Sequence, residues 1–307
     1  MTRILEYVID SKASGLTVQE YLKTLGCSRN VISRLKAADR GIAVNGEPVF
    51  SSRRLSAGER LTLTLREETS SFRFSSPAPE PAFPEPDIVY EDEDLAVVGK
   101  PAGVPVHPSQ GNHGNTLADI LTWHYRQKGQ PFVYRAVSRL DRDTTGLMIV
   151  AKNMFSASIL SSMAAARQIR REYLAIALGR TDEAGVIDAP IGRKEGSIIE
   201  RTVDAAGERA VTHYERILYR PDLDASLVKL RLETGRTHQI RVHMAYIGHP
   251  LPGDFLYCPD YSLINRQALH SHSLTFLHPV TKKELHFEAP LPDDMQFILP
   301  EAVSRHS

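Results

Sequence analysis

Cysteine is nearly missing from this chain: its 307 residues include only Cys27 and Cys258. Two isolated thiols exclude a disulfide-stapled secreted fold and, without a Cys-x-x-Cys pair, the common zinc frameworks. Long apolar runs are missing too, since no window approaches the roughly 18 to 20 apolar residues that cross a bilayer. Met1 to Tyr7 lack the apolar core of a secretion signal, so a soluble, cytoplasmic protein is expected. Net charge is also lacking, with 37 basic residues against 37 acidic. Any affinity for a polyanion must therefore come from local segregation of charge.

Several catalytic signatures are absent as well. There is no Gly-x-Ser-x-Gly elbow, no phosphate loop and no dinucleotide fingerprint. His238 and His243 are five apart, not the i, i+4 pair of the His-Glu-x-x-His motif, and no acid lies between them. His270, His272 and His278 cluster near the end without a Cys or carboxylate neighbour in sequence, so they read as ordinary strand histidines. No metal and no cofactor is expected. The chemistry is left to a carboxylate.

What is present divides the chain in two. Residues 69–87 crowd Pro77, Pro79, Pro81, Pro84 and Pro86 behind a serine-rich start, a composition that favours extended chain and cannot continue a helix or a central strand. Residues 1–68 therefore form a small N-terminal domain, 69–87 a flexible linker, 88–300 a main domain, and 301–307 a tail. In the first, Val18, Tyr21, Leu22 and Leu25 recur at helical spacing up to Gly26, and Val31, Ile32 and Leu35 repeat the pattern behind Ser28 as N-cap. A hairpin is expected around Asn45-Gly46, and Leu61 to Leu65 alternate as a strand. Between Ser14 and Arg66 there are nine Lys or Arg against four Asp or Glu. Arg29, Arg34, Lys36 and Arg40 gather around the second helix, as on a nucleic-acid binder or as charges that merely solvate a small domain. The order of helix, Ser-Arg, helix, Gly-x-x-x-Val-Asn-Gly and strand resembles the S4 RNA-binding module over residues 14–66.

The main domain reads as short strands around irregular loops, with helices over Thr116–Arg126 and from Asn153 as N-cap to Gln168. This predicts an α+β fold on a mixed or antiparallel sheet. Val137 to Leu147 set Asp141 among Arg139 and Arg142 in a glycine-punctuated turn, just ahead of the strand Leu147–Ala151. Tyr173 lies on the strand Glu172–Gly179, on the face opposite Leu174, Ile176 and Leu178, where it either packs in the core or offers a stacking platform near Asp141. Leu230–Glu233 forms another strand, and a helix with Thr237 as N-cap and Gly248 as terminator follows. Arg236 stands in the turn between them, suited to grip a carboxylate or a phosphate.

Four stretches in this order resemble the RluA-type family of pseudouridine synthases over residues 14–292: Lys100-Pro101-Ala102-Gly103, Arg139 to Leu147, Arg171-Glu172-Tyr173-Leu174-Ala175 and Gly235 to His243. The resemblance implies that Asp141 is the catalytic aspartate, Tyr173 the aromatic beside the target base, Arg236 the basic partner of the aspartate, and Arg139 a holder of the flipped-out nucleotide. The chain departs from the pattern at Ser138, where many members carry His.

The implied reaction breaks the N1–C1′ bond of uridine, turns the uracil and rejoins it through C5. No atom enters or leaves, so one carboxylate can suffice where a glycosidase needs two. Asp141 acts either as nucleophile on C1′ or as a base on the sugar, and both roles need it ionised. The resemblance further implies a monomer acting on large-subunit ribosomal RNA of the 23S type, with tRNA as the other target. A non-catalytic RNA-binding or ribosome-assembly factor would keep the fold and lose the activity.

Overall fold

The computed structural model describes residues 2–66, 84–108 and 114–300. Residues 69–83 of the expected linker and the expected tail 301–307 lie outside the described residues.

The N-terminal module runs β1 (Thr2–Val8), α1 (Val18–Thr24), α2 (Arg29–Ala37), β2 (Ile42–Val44), β3 (Glu47–Pro48) and β4 (Arg60–Arg66). Its four strands pair in the order β1-β4-β2-β3. Local sequence explains the breaks. Thr17 and Glu20 close a capping box at α1, and the Ser28 hydroxyl accepts from the Val31 N–H at α2. Asn45 and Gly46 both take positive φ, 52° and 88°, as the tight β2–β3 hairpin requires. Strand β1 escapes a periodicity search because Ile4, Leu5, Tyr7 and Val8 do not alternate, and only Leu5 is buried.

The main domain continues with β5 (Asp87–Glu91), β6 (Leu95–Lys100), α3 (Leu117–Gln127), β7 (Thr145–Ala151), α4 (Met154–Ala165), β8 (Arg170–Leu178), β9 (Ala184–Asp188), β10 (Ile191–Arg193), β11 (Arg201–Val203), β12 (Val211–Arg220), β13 (Ala225–Leu232), α5 (Gln239–Tyr246), β14 (Leu269–Leu277) and β15 (Glu284–Glu288), with a 3-10 turn over Asp293–Ile298. Nine strands make one sheet in the order β5-β6-β7-β14-β8-β13-β12-β9, with β15 on β14. All of its pairings are antiparallel except the short β7–β14 contact, where His270 faces Thr145 and Ser271 faces Gly146. The α+β class and the mixed sheet are as the sequence predicts. Asp87 already belongs to β5, one residue inside the expected linker. Helix α4 stops at Ala165, short of Gln168, because Arg167 turns into the left-handed region at φ 59°.

Strands β6 and β7 are buried on both faces, and their alternating side chains feed two cores. Leu95, Val97, Leu147 and Ile149 join Phe155, Ile159 and Leu160 of α4 and, from the module, Leu5, Val18 and Leu22. Ala96, Val98, Met148 and Val150 point the other way, to Leu121 and Tyr125 of α3 and Ile240 and Met244 of α5. The module is thus docked through a shared core. At its margin Arg3 donates to both oxygens of Asp94 at 2.9 and 3.2 Å, and the Ser28 N–H donates to Ser158 Oγ at 2.7 Å.

Candidate active site

Asp141 sits in the loop that enters β7, on the face opposite the module, and that loop is fixed from several sides. Leu140 is buried in the core that also holds Tyr173 and Ile240. Inside the loop the Thr144 N–H donates to Asp141 O at 3.1 Å. From β6, the ammonium of Lys100, only 1% exposed, donates to the carbonyls of Arg142 at 2.7 Å, Pro101 at 2.7 Å and Val104 at 2.9 Å. Burial pulls the Lys100 pKa down to about 7, against the charges of Asp143 and Asp141. Gly146, at φ 108°, admits no side chain, since an added Cβ would lie 2.2 Å from the Ser271 carbonyl oxygen. The glycine in the turn therefore lets β7 meet β14 in parallel.

The partner of Asp141 is Arg241, not the expected Arg236. Arg241 Nη1 donates to Asp141 Oδ2 at 2.8 Å, while Nε and Nη2 grip Asp254 in a fork at 2.6 and 2.7 Å. Both Arg241 and Asp254 are buried, at 2% and 0% side-chain exposure. The two carboxylates raise the pKa of Arg241 above its usual range against the cost of burial. Its guanidinium also lies over the rings of Tyr257 and Phe255, at 5.1 and 5.6 Å. Among the described residues no other side chain or N–H donates to the Asp141 carboxylate. Arg236 instead faces outward, with Nη1 on Glu208 at 2.7 Å and Nε on the Arg209 carbonyl at 3.0 Å.

The cause is where the helix begins. Its N-cap is His238, in the left-handed region at φ 58°, and not Thr237. Arg236 thus remains in the approach while Arg241, in the first turn, projects inward. Sequence alone does not choose between the two arginines from Gly235 to His243; it is the burial of Arg241 in the first turn of α5 that demands a carboxylate partner. Gly253, at φ 73° and with no room for a Cβ beside the Arg266 carbonyl oxygen, places Asp254 in reach.

Tyr173 lies in the core, one of the two places the sequence allows it. It pairs with Leu230 of β13 in a core that also holds Leu140, is only 8% exposed, and borders a cavity of about 790 Å³ with Ser138, Arg139 and Arg171. Burial raises the phenol pKa, and Asp141 adds to the rise while Arg171 opposes it. Arg139 is exposed on the same cavity wall. Arg29, Arg34, Lys36 and Arg40 are exposed on and after α2, in the module and away from this cavity.

The remaining histidines divide. His243 is fully buried and bonded to Thr212 Oγ1 and the Ala189 carbonyl, a structural role. His270 meets Thr145 Oγ1 at 2.8 Å and His272 the Ala289 carbonyl at 2.6 Å. His278 joins Asp92 and Asp94 in a group that could in principle hold a cation. However, Asp92 already accepts from His278, Tyr90 and two backbone N–H groups, and Asp94 from Arg3 and Asn153, so donors occupy it. His238 carries no signal in sequence beyond its failed metal spacing. Its Nε2 lies 3.9 Å from Asp141 Oδ2, and its Nδ1 lies 3.1 Å from Tyr257 Oη.

Comparisons with known proteins agree on one family. Residues 94–246 match RNA pseudouridylate synthase. The chain is 42% identical to the uncharacterized RNA pseudouridine synthase YjbO of Bacillus subtilis over 286 residues, 92% of this chain and 98% of that one. It is 40% identical to ribosomal large subunit pseudouridine synthase D of Vibrio parahaemolyticus, over 86% of this chain and 84% of that one. Among solved structures, human RNA pseudouridylate synthase domain containing 1 superposes with a TM-score of 0.57 at 28% identity, over 69% of this chain and 86% of that one.

Proposed function

This chain belongs to the RNA pseudouridylate synthase family and is an isomerase of uridine in RNA, and from that premise we propose that Asp141 is its reacting carboxylate. The observation that carries the assignment is the chain Asp254–Arg241–Asp141. A buried guanidinium committed to Asp254 through two N–H groups directs a third to Asp141, aiming that carboxylate and leaving its other lone pairs free.

The target uridine leaves its stack to enter the cavity, at a cost of a few kcal/mol that is least in loops. Stacking on the bordering ring of Tyr173 offsets about 1 to 3 kcal/mol of it. Arg139 on the cavity wall holds a phosphate of the flipped nucleotide. Asp141 then acts at the sugar, as nucleophile on C1′ or as base, while the uracil turns and rejoins through C5. Lys100 and Gly146 hold the loop through backbone contacts and need not touch RNA.

The N-terminal module acts as an S4-like RNA-binding domain through Arg29, Arg34, Lys36 and Arg40. The substrate is large-subunit ribosomal RNA, supported by relatives whose names carry that assignment. The test compares wild type with Asp141→Asn for pseudouridine formed in ribosomal RNA and in tRNA. Loss of all product in the variant is expected, with ribosomal RNA as the modified species. Equal modification by both proteins would remove Asp141 from the chemistry, and product only in tRNA would replace the substrate.

A further inference from the structure

We propose that His238 is a further catalytic residue, the proton carrier that takes the hydrogen from C5 of the turned uracil and returns it to N1. This rests on the reading of Asp141 as the reacting group. Once C5 has joined C1′ through the former C5=C6 electron pair, C5 carries both the sugar and its original hydrogen, and N1 is doubly bonded to C6. Product requires that the C5–H bond break. Its electron pair restores C5=C6, the N1=C6 pair returns to N1, and N1 takes up a proton. The net change is one proton moved from C5 to N1, with no oxidant and no water.

The carrier must be a neutral base close to the atom that Asp141 addresses, because C5 has become the neighbour of C1′. Among the described residues around the carboxylate, Arg241 cannot give up its proton, and Lys100 Nζ is engaged by the carbonyls of Pro101, Val104 and Arg142 and makes no hydrogen bond to Asp141. Tyr173 is buried with its pKa raised, so its phenol stays protonated. His238 remains, with Nε2 3.9 Å from Asp141 Oδ2, too far for a hydrogen bond and so not tied to it. Tyr257 holds the ring from the other side: its hydroxyl oxygen accepts the Arg201 N–H at 2.9 Å and is 3.1 Å from His238 Nδ1. In the tautomer that donates Nδ1–H to Tyr257, Nε2 presents a lone pair toward Asp141. Burial, together with Arg241 and Arg201, lowers the imidazole pKa against the pull of Asp141 and Asp254, favouring the neutral form.

The backbone points the same way. His238 holds a left-handed conformation, φ 58° and ψ 18°, without making a capping bond. Strain of this kind persists where the surroundings fix a side chain for use.

The test uses full-length enzyme and a large-subunit ribosomal RNA transcript made with uridine either protiated or deuterated at C5. His238→Gly and His238→Asn both suit the left-handed backbone, and thermal unfolding reports whether they fold. We expect either variant to lose about 10² to 10⁴-fold in kcat with KM for RNA little changed. The deuterated transcript should then react more slowly than the protiated one, an isotope effect absent or smaller in wild type. Free imidazole should restore part of the rate of the glycine variant. A folded variant with wild-type turnover, or one slowed equally on both transcripts and indifferent to imidazole, would overturn the role. Wild-type enzyme that makes no pseudouridine in ribosomal RNA or tRNA would overturn the underlying assignment instead.

Discussion

Lys100 and Arg142, 42 positions apart, are joined by a 2.7 Å hydrogen bond from a buried ammonium to a backbone carbonyl. That carbonyl belongs to the residue after Asp141, so a side chain with no hydrogen bond to the Asp141 carboxylate helps decide where it stands. Two further carbonyls, from Pro101 and Val104, share the same ammonium.

Lys100→Met keeps the length of the side chain and removes all three donors. The carbonyls of Pro101, Val104 and Arg142 then lose this donor, at about 0.5 to 1.5 kcal/mol for each bond. The expected outcome is a lower urea midpoint and a fall in kcat larger than the rise in KM, read by steady-state assay on ribosomal RNA.

Arg236 and Arg241 should separate cleanly. Arg236→Ala breaks one exposed ion pair, worth about 0 to 1 kcal/mol, and should leave stability and turnover within a few-fold of wild type. Arg241→Met leaves buried Asp254 without its cation and should cost about 3 to 5 kcal/mol. Arg241→Lys keeps the charge and loses the fork, so it should fold better than Met and still turn over poorly. Denaturant titration with single-turnover kinetics checks all three.

Tyr173→Phe keeps the ring and should bind RNA nearly as tightly as wild type. Tyr173→Ala removes the stacking surface, at about 1 to 3 kcal/mol of binding, and opens a void in the core around Leu140 and Leu230 at about 3 to 5 kcal/mol of stability. If Phe binds as weakly as Ala, the hydroxyl matters more than the ring.

Acid should weaken the fold through His270. It is 4% exposed, and burial lowers its pKa to about 4. The unfolded chain therefore binds the extra proton between about pH 6.5 and pH 4 while the folded chain does not. Stability present above pH 6.5 is lost progressively down to pH 4, by about 3 kcal/mol from this group. His238 and His243, also lowered by burial, act in the same direction. Urea midpoints across this range should fall less steeply for His270→Leu than for wild type.

Neutralising Arg29, Arg34, Lys36 and Arg40 together should weaken RNA binding at low salt and flatten its salt dependence. Every phosphate that is no longer neutralised reduces the slope of log K against log salt by about 0.7 to 0.9. An unchanged slope would mean that these residues only solvate the module.

The parts of the site that sequence reveals are local ones. Asp141, Gly146 and the strand behind them follow one another along the chain, and the module's caps and hairpin are written in neighbouring residues such as Thr17 with Glu20. Arg241 is not legible, because its meeting with Asp141 spans 100 positions and depends on which residue opens α5. A one-residue error in that start, Thr237 for His238, directs attention to the wrong arginine. Lys100 is visible only as part of a motif, since three backbone carbonyls leave no trace in side-chain chemistry. His238 shows a metal-like spacing that fails and nothing that marks a base, because its nearness to Asp141 arises from packing between distant segments.

The wall shared by β6, β7 and α4 makes the two-part architecture divisible only on paper. Cut away the first 66 residues, and Leu95, Val97, Leu147, Ile149, Phe155 and Ile159 lose the side chains packed against them. What remains is a catalytic half with an oily flank, prone to stick to its own copies. In this chain the module is a weld, not an exchangeable accessory.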